Sequence, residues 1–519
     1  MPIDINIELS PSQASDSLQV RKMLASKLNI KMDQVGEYII TRKSIDARKG
    51  KIKVNLGIRL FNSGETVIMG APEFLFKDVR NAEPIVIVGA GPAGLFAALR
   101  LLELGFKPII VERGKPVSDR KRDIALLNRE HKLNPDSNYA YGEGGAGTFS
   151  DGKLYTRSKK RGDFKRVLYA LNNHGADENI IYEAHPHIGT NKLPGVIVKI
   201  RETILNHGGQ FLFNSRVESL VIRDNYAKGV KLTDGQIIDG RAVILATGHS
   251  ARDIYQTLMN QGVRIEAKAF AMGVRVEHPQ ELIDHIQYHG IKRDEFLPAS
   301  SYNLVHQVNG RGVFSFCMCP GGFIVPAATS AGEVVVNGMS PSQRNSRFAN
   351  SGMVVEVRLD DLTSYSKYGE QAGLEYQHHL EMLAAKNGGY GVKAPAQRLD
   401  DFVNGKVSGS LPECSYHPGL NSSGMHEWLP NDISSRLQEG FKDFGKKMKG
   451  FLTNEAVILG VESRTSSPIR IPRDPETLQH IQIKGLFPSG EGAGYAGGIV
   501  SSAVDGERCA DGVARFLLE

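Results

Sequence analysis

Three glycines, Gly89, Gly91 and Gly94, are spaced G-x-G-x-x-G within P-I-V-I-V-G-A-G-P-A-G, and V-E-R follows at residues 111–113. Glycines so spaced serve a diphosphate. The first permits a tight turn, the second lets backbone approach the phosphates, and the third lets a helix pack closely on its strand. Unpaired N–H groups and the helix dipole then favour the negative charge. Glu112 stands where a carboxylate accepts both ribose hydroxyls of an adenosine. A second bare stretch, Y-G-E-G-G-A-G-T-F-S-D-G-K-L at residues 141–154, holds five glycines among fourteen residues. Such a backbone suits close approach to a flat ring or a phosphate, with Thr148, Ser150 and Lys153 supplying donors beside it. His185 and His187, two apart on an expected strand, would share a face, but no third metal ligand stands near and no metal is expected. They read instead as structure or as the lining of a substrate pocket. Cys317 and Cys319 in C-M-C would also face one side. They are either a redox pair or two small buried residues. A disulfide fits this spacing poorly without backbone distortion.

These residues need elements to hold them. The β-branched run at 85–88 reads as a strand buried on both faces, residues 95–104 continue at helical spacing, and residues 107–112 form a second strand. Residues 211–220, 229–232 and 235–238 read as a β-meander, and R-A-V-I-L-A-T-G at 241–248 as a further buried strand ending in Thr247 and Gly248. Strand-like runs recur at 269–277, 302–307, 312–318, 322–326, 333–337 and 353–358, the pattern of a mostly antiparallel sheet. Residues 360–452 are more helical, with Ile433, Leu437, Phe441, Phe444 and Met448 on one stripe that suits packing on a sheet. Near the end, G-L-F-P-S-G-E leads into G-A-G-Y-A-G-G-I-V, a second glycine loop opening a helix from about residue 499. A helix N-terminus there would stabilise negative charge building on a ring that accepts a hydride.

Composition bounds the rest. At 519 residues with 41% hydrophobic and 23% charged content the chain is an ordinary globular protein of two or three domains. Four cysteines exclude a disulfide framework. Residues 1–16 lack a basic-then-apolar leader, and the apolar stretch 85–104 is broken by three glycines, Arg100 and Glu103, so no membrane span is expected and a cytoplasmic protein is. Residues 1–80, with 13 Lys and Arg against 9 Asp and Glu, read as a small α+β domain with a solvated basic face. Nucleic acid is not the expected partner, and a flavin-dependent RNA modifier using that face is the alternative reading. The oligomeric state is not legible.

Two glycine loops at opposite ends of the chain call for a cofactor longer than a nicotinamide dinucleotide. With A-T-G and S-G-E-G-A-G-Y-A-G-G, the chain resembles FAD-dependent oxidoreductases with the glutathione-reductase-type FAD domain. G-E-G-G-A-G-T-F-S-D-G-K-L, F-S-F-C-M-C-P-G-G, A-P-A-Q-R, E-S-R-T-S-S-P and R-K-S-I-D-A-R-K resemble, more narrowly, the bacterial family of uncharacterised FAD-dependent dehydrogenases. The resemblance implies an α/β fold: a discontinuous Rossmann-like FAD-binding domain at 81–266 and 456–519, an inserted mostly antiparallel β plus helical substrate domain at 267–455, and the N-terminal domain at 1–80. It implies FAD contacts at Gly89, Gly91, Pro92, Ala93, Gly94, Glu112, Arg113, Gly144, Gly145, Ala146 and Gly147, then at Thr247, Gly248, Gly490, Glu491, Gly498 and Ile499. Two-electron chemistry on a small-molecule substrate follows, with Arg464, Lys153, His187, Cys317 and Cys319 as catalytic candidates. Arg464 ranks first, to bind a carboxylate or stabilise reduced flavin. No second fingerprint for a pyridine nucleotide is present, which leaves room only for transient NAD(P)H binding over the flavin.

Overall fold

The computed structural model describes residues 2–48, 50–62, 65, 72–155 and 162–518. Lys49, the last residue of R-K-S-I-D-A-R-K, lies outside them. At the N-terminus β1 (Ile3–Leu9), β2 (Tyr38–Asp46) and β3 (Lys53–Leu60) form an antiparallel sheet in the order β1-β3-β2, covered by the helix Ser17–Leu28. In β1 every second residue from Ile5 is buried, as a strand with one covered face requires. Residue Lys43 of β2 ties this unit to the rest of the chain: its N–H donates to Tyr182 O at 2.8 Å and its carbonyl accepts from Ala184 at 2.9 Å.

The chain next builds β4 (Pro84–Val88), β5 (Lys107–Val111) and β6 (Gln210–Leu212). An antiparallel meander follows, made of β7 (Val217–Arg223), β8 (Tyr226–Leu232) and β9 (Ile237–Asp239), and then β10 (Val243–Leu245). The single strand expected at 211–220 is therefore two. Asn214, at φ +53°, turns the chain, so β6 joins the parallel sheet and β7 starts the meander. The expected strand through His185 and His187 is also missing. Pro186 between them has no N–H to give a ladder, and only an isolated bridge pairs His187 with Lys153.

Beyond β11 (Glu266–Ala267) come β12 (Phe270–Pro279), β13 (Val305–Val308), β14 (Arg311–Cys319), β15 (Phe323–Pro326), β16 (Val336–Met339) and β17 (Phe348–Val357). The stretch expected to be helical contributes β18 (Ala394–Arg398) and β19 (Leu420–Ser422) between its helices, and β20 (Val457–Glu462) follows. Seven of these form one sheet, in the order β13-β14-β17-β12-β20-β18-β19, antiparallel except for β18 with β19. Strand β20 lies past the boundary expected at residue 456 and yet belongs to this sheet. The helix Asn431–Lys447 buries Ile433, Leu437, Phe441 and Phe444 and lies close on β14, where a Cβ at Gly440 would come within 2.6 Å of Val313.

After β21 (Ile469–Arg470) the chain returns to the parallel sheet through β22 (Leu486–Pro488), giving the order β22-β10-β4-β5-β6. It ends in the helix Ile499–Leu518, which packs on the fingerprint helix Pro92–Leu104. Their backbones meet at Gly506, where a Cβ would fall 2.0 Å from the Ala93 carbonyl oxygen. The α/β class, the discontinuous Rossmann-like sheet, the inserted antiparallel sheet with helices and the small α+β unit are all present. Among the described residues no helix is long and apolar enough to cross a membrane.

Candidate functional site

A cleft of about 370 Å³ opens outside the carboxyl ends of β4, β5, β10 and β22, where parallel α/β sheets receive their ligands. The fingerprint forms one wall. Gly89, at φ +104°, brings its Cα so near β10 that a Cβ would lie 2.4 Å from Ala246 O. Gly94 is equally close to Gly89 O, at 2.0 Å for an added Cβ, and so sits behind the wall. Gly91 differs. A Cβ there would meet nothing nearer than Gly145 Cα, at 3.9 Å, an ordinary contact. It is also the N-cap of the fingerprint helix and offers no side chain to its first-turn N–H groups. On the other side, Gly498, Ile499 and Ser502 bring the N-terminus of the C-terminal helix to the same cleft, and added Cβ atoms at Gly248 and Gly497 would meet nothing within 4 Å. Two bare helix N-termini and a run of open glycines make a cradle for a dinucleotide diphosphate.

Buried charge shapes the loops. Glu112 accepts N–H groups from Ala90, Gly114 and Gly142, each at 2.9 Å, tying the fingerprint to the glycine-rich stretch at 141–154 while still lining the cleft. Arg113 pairs with Asp136 and Asp253 and lies 4.1 Å over the Tyr141 ring. Arg120, wholly buried, donates to the carbonyls of Asn138, Tyr139 and Glu143 and to Thr148 Oγ1. Burial pulls its guanidinium down to about 10. Thr148 and Ser150, expected as donors to the cleft, donate to Glu143 O and Gly147 O within their own loop.

On the far side stand Lys153, Cys317 and Arg464. Lys153 Nζ lies 3.7 Å from both Cys317 Sγ and Cys319 Sγ and 3.6 Å from Asp151 Oδ2. Burial alone would raise Asp151, but Lys153 and Arg344 outweigh it and hold the carboxyl at about 2. Arg464 donates to Glu381, to Glu333 at 2.8 Å and to Thr329 at 2.7 Å. Glu381 is wholly buried, yet Arg464 and Arg252 overcome its desolvation and hold it at about 2. Glu333, His378 and Glu381 cluster within 4.8 Å, but these two guanidinium groups already balance both carboxylates.

A model of the family described as FAD-dependent protein, C-terminal domain-like, matches residues 269–465, and one of Glucose inhibited division protein A matches residues 196–301. A domain of unknown function matches residues 1–61. An "Uncharacterized protein" of Clostridium beijerinckii is 42% identical over 527 residues, covering 98% of this chain and 97% of its own. The chain belongs to one family with this Clostridium beijerinckii protein, and its residues 269–465 are similar to FAD-dependent proteins. Protein FixC of Escherichia coli is 26% identical over 211 residues, 40% of this chain and 46% of FixC. The flavin-dependent brominase Bmp2 is a distant structural likeness, with 13% identity and a TM-score of 0.37 over 84% of this chain and 80% of its own. The matched models are of FAD-dependent proteins and of Glucose inhibited division protein A, and neither singles out the glutathione-reductase type.

Of the residues expected to touch the cofactor, all but Gly94 and Gly144 line the cleft. Gly144 instead donates its N–H to Ala90 O at 2.8 Å. Of the catalytic candidates, Lys153, Cys317 and Arg464 line it, whereas Cys319 is buried behind Cys317. His187 faces away, its Nε2 3.0 Å from Ser342 O, and burial lowers its pKa. Sequence reasoning missed His249, one residue past A-T-G, whose Nδ1 lies 3.1 Å from Glu491 Oε2 at the cleft. It also missed Asp505, which accepts the Gly490 N–H at 2.8 Å and pairs with Arg473, so fixing the second glycine loop.

Proposed function

We propose that the chain is an FAD-dependent oxidoreductase that moves two electrons as a hydride between the flavin and a small-molecule substrate. The observation that carries this reading is the continuity of one cleft from the bare N-terminus at Gly91 to the Lys153, Cys317 and Arg464 wall. Gly89, Gly91, Pro92, Ala93 and Glu112 would hold the adenosine diphosphate end. Thr247, Gly248 and the loop from Gly490 to Ile499 would hold the remainder. The flavin supplies the electron chemistry, and the protein supplies position and electrostatics. At the C-terminal helix, the first-turn N–H groups favour negative charge next to Gly498 and Ile499. Lys153 adds a cation on the opposite wall, and the Arg464 network keeps that wall rigid. No separate pyridine-nucleotide domain is part of this reading, so NAD(P)H would bind transiently in the cleft.

The basic face of the N-terminal unit does not favour the RNA reading. Lys53 pairs with Glu8, Arg59 with Asp4 and Arg21 with Glu37. Visible spectra of the purified protein, recorded without oxygen as NADPH and then NADH are added, test the proposal. Rapid bleaching of the flavin identifies a nicotinamide-fed reductase. Bleaching by a metabolite alone identifies a dehydrogenase. A flavin reduced by dithionite and by no metabolite would overturn hydride transfer as its function.

A further inference from the structure

We propose that Cys317 and Cys319 form a redox-active dithiol, with Lys153 as counter-ion, that exchanges two electrons with the flavin by opening and closing a disulfide. For its electron partner this inference rests on the flavin reading of the cleft.

Two thiols two apart in a regular strand fit a disulfide poorly, but β14 is not regular there. Its pairing with β17 breaks between Phe316 and Cys319, and Cys317 takes a left-handed backbone at φ +46°. Such a conformation is costly for a residue with a side chain and persists only where the surroundings hold it. They do so here. The Cys317 carbonyl accepts from Arg275 Nη2 at 2.8 Å and from Cys319 Sγ at 3.3 Å. Arg275 is itself locked by Glu462 at 2.7 Å and Asn350 at 2.8 Å. The distortion brings both sulfurs onto one ammonium, Lys153 Nζ, at 3.7 Å each. Arg275 Nη2 stands 3.7 Å from Cys319 Sγ on the buried side.

The two sulfurs differ in access. Cys317 lines the cleft, while Cys319 is fully buried behind it. The Cys319 thiol beside Cys317, with Lys153 and Arg275 adding to it, holds the Cys317 thiol well below its usual range despite burial, while Cys319 is pushed up. The pair thus starts as one thiolate and one thiol, the combination from which a disulfide forms. The step balances. The Cys317 thiolate and the Cys319 thiol join in a new S–S bond, and the Cys319 S–H bond breaks. Two electrons and that proton pass to the oxidised flavin, which becomes the anionic two-electron-reduced form. One negative charge is present before and after, and Lys153 keeps its proton. The reverse step regenerates the dithiol.

The test uses the full-length flavin-loaded protein with its flavin content measured first. The protein is oxidised in air, denatured, alkylated and mapped by mass spectrometry. The peptide carrying residues 317 and 319 is expected to stay unlabelled until dithiothreitol is added, while Cys414 and Cys509 label at once. Anaerobic dithionite titration of the oxidised protein is expected to consume twice the electrons that the flavin alone takes, falling to the flavin's share in Cys317→Ser and in Cys319→Ser. Lys153→Met should move the pH dependence of Cys317 alkylation in the reduced native protein to higher pH, because the ammonium that favours the thiolate is gone. Full labelling of the peptide in the air-oxidised, flavin-loaded protein would overturn the proposal. So would an electron count unchanged in both variants. A preparation without flavin would count against the cleft reading instead, and labelling in dithiothreitol redox buffers would then decide the dithiol by itself.

Discussion

Arg464 lines the cleft and also donates to Glu381 and Glu333, which are buried to 0% and 4% exposure. Its charge therefore holds two carboxylates in the protein interior. Arg464→Ala leaves both under-compensated, and the expected cost is about 3 kcal/mol, since breaking a buried pair strands a charge. A lowered urea midpoint would show it. Arg464→Lys should recover only part, because an ammonium cannot fork between two carboxylates. If Arg464→Ala melts like the wild type, the network is not a support and Arg464 acts on substrate alone. Glu112 teaches the same lesson. Its position at a strand end was legible, but not the three backbone donors that occupy its carboxylate, because two of them come from loops folded over it from elsewhere.

The two halves of the parallel sheet are held together where the fingerprint helix meets the C-terminal helix. Gly506→Ala puts a methyl group 2.0 Å from the Ala93 carbonyl, so the helices must separate. The expected loss is about 1–3 kcal/mol of stability, the usual range for overpacking, together with weaker flavin retention because Ala93 lines the cleft. Thermal melting with and without added FAD measures both. Both helices, their glycine loops and β4, β5, β10 and β22 could be read from the sequence, because each is a local pattern of period, glycine and strand-end residues. The split at Asn214 was not, since Phe211 to Leu220 keeps a strand-like composition across the turn. The bulge at Cys317 gave no local sign either. It is imposed by Arg275 and β17, which lie far along the chain. The partners of Arg464 are equally remote, Glu381 being 83 residues away.

At the scale of the molecule, one buried imidazole makes the inserted domain sensitive to acid. His278 of β12 is fully buried, with Nε2 2.8 Å from Phe451 O, and burial pulls its imidazole down to about 4. The unfolded chain takes that proton near pH 6.5. Between these values the unfolded state binds more protons at this residue, so the contribution of His278 to stability falls as pH drops through the window, by roughly 3 kcal/mol in all. Glu462, raised by burial to about 7, contributes with the opposite sign. His278→Gln removes the titrating imidazole and should take its contribution out of the urea-midpoint profile. An identical profile would mean that the imidazole is not held neutral. The central claim, that the cleft at Gly91 holds FAD, has a more direct test. Gly91 has an extended backbone at φ −78°, which any residue adopts, and it lines the cleft, where an added Cβ would meet nothing nearer than Gly145 Cα, at 3.9 Å. The measurement is the FAD content per chain of the purified full-length protein and of Gly91→Val, with folding checked by circular dichroism. The account predicts FAD in stoichiometric amount in the wild type and little or none in a variant that folds normally. Equal FAD in both would contradict it.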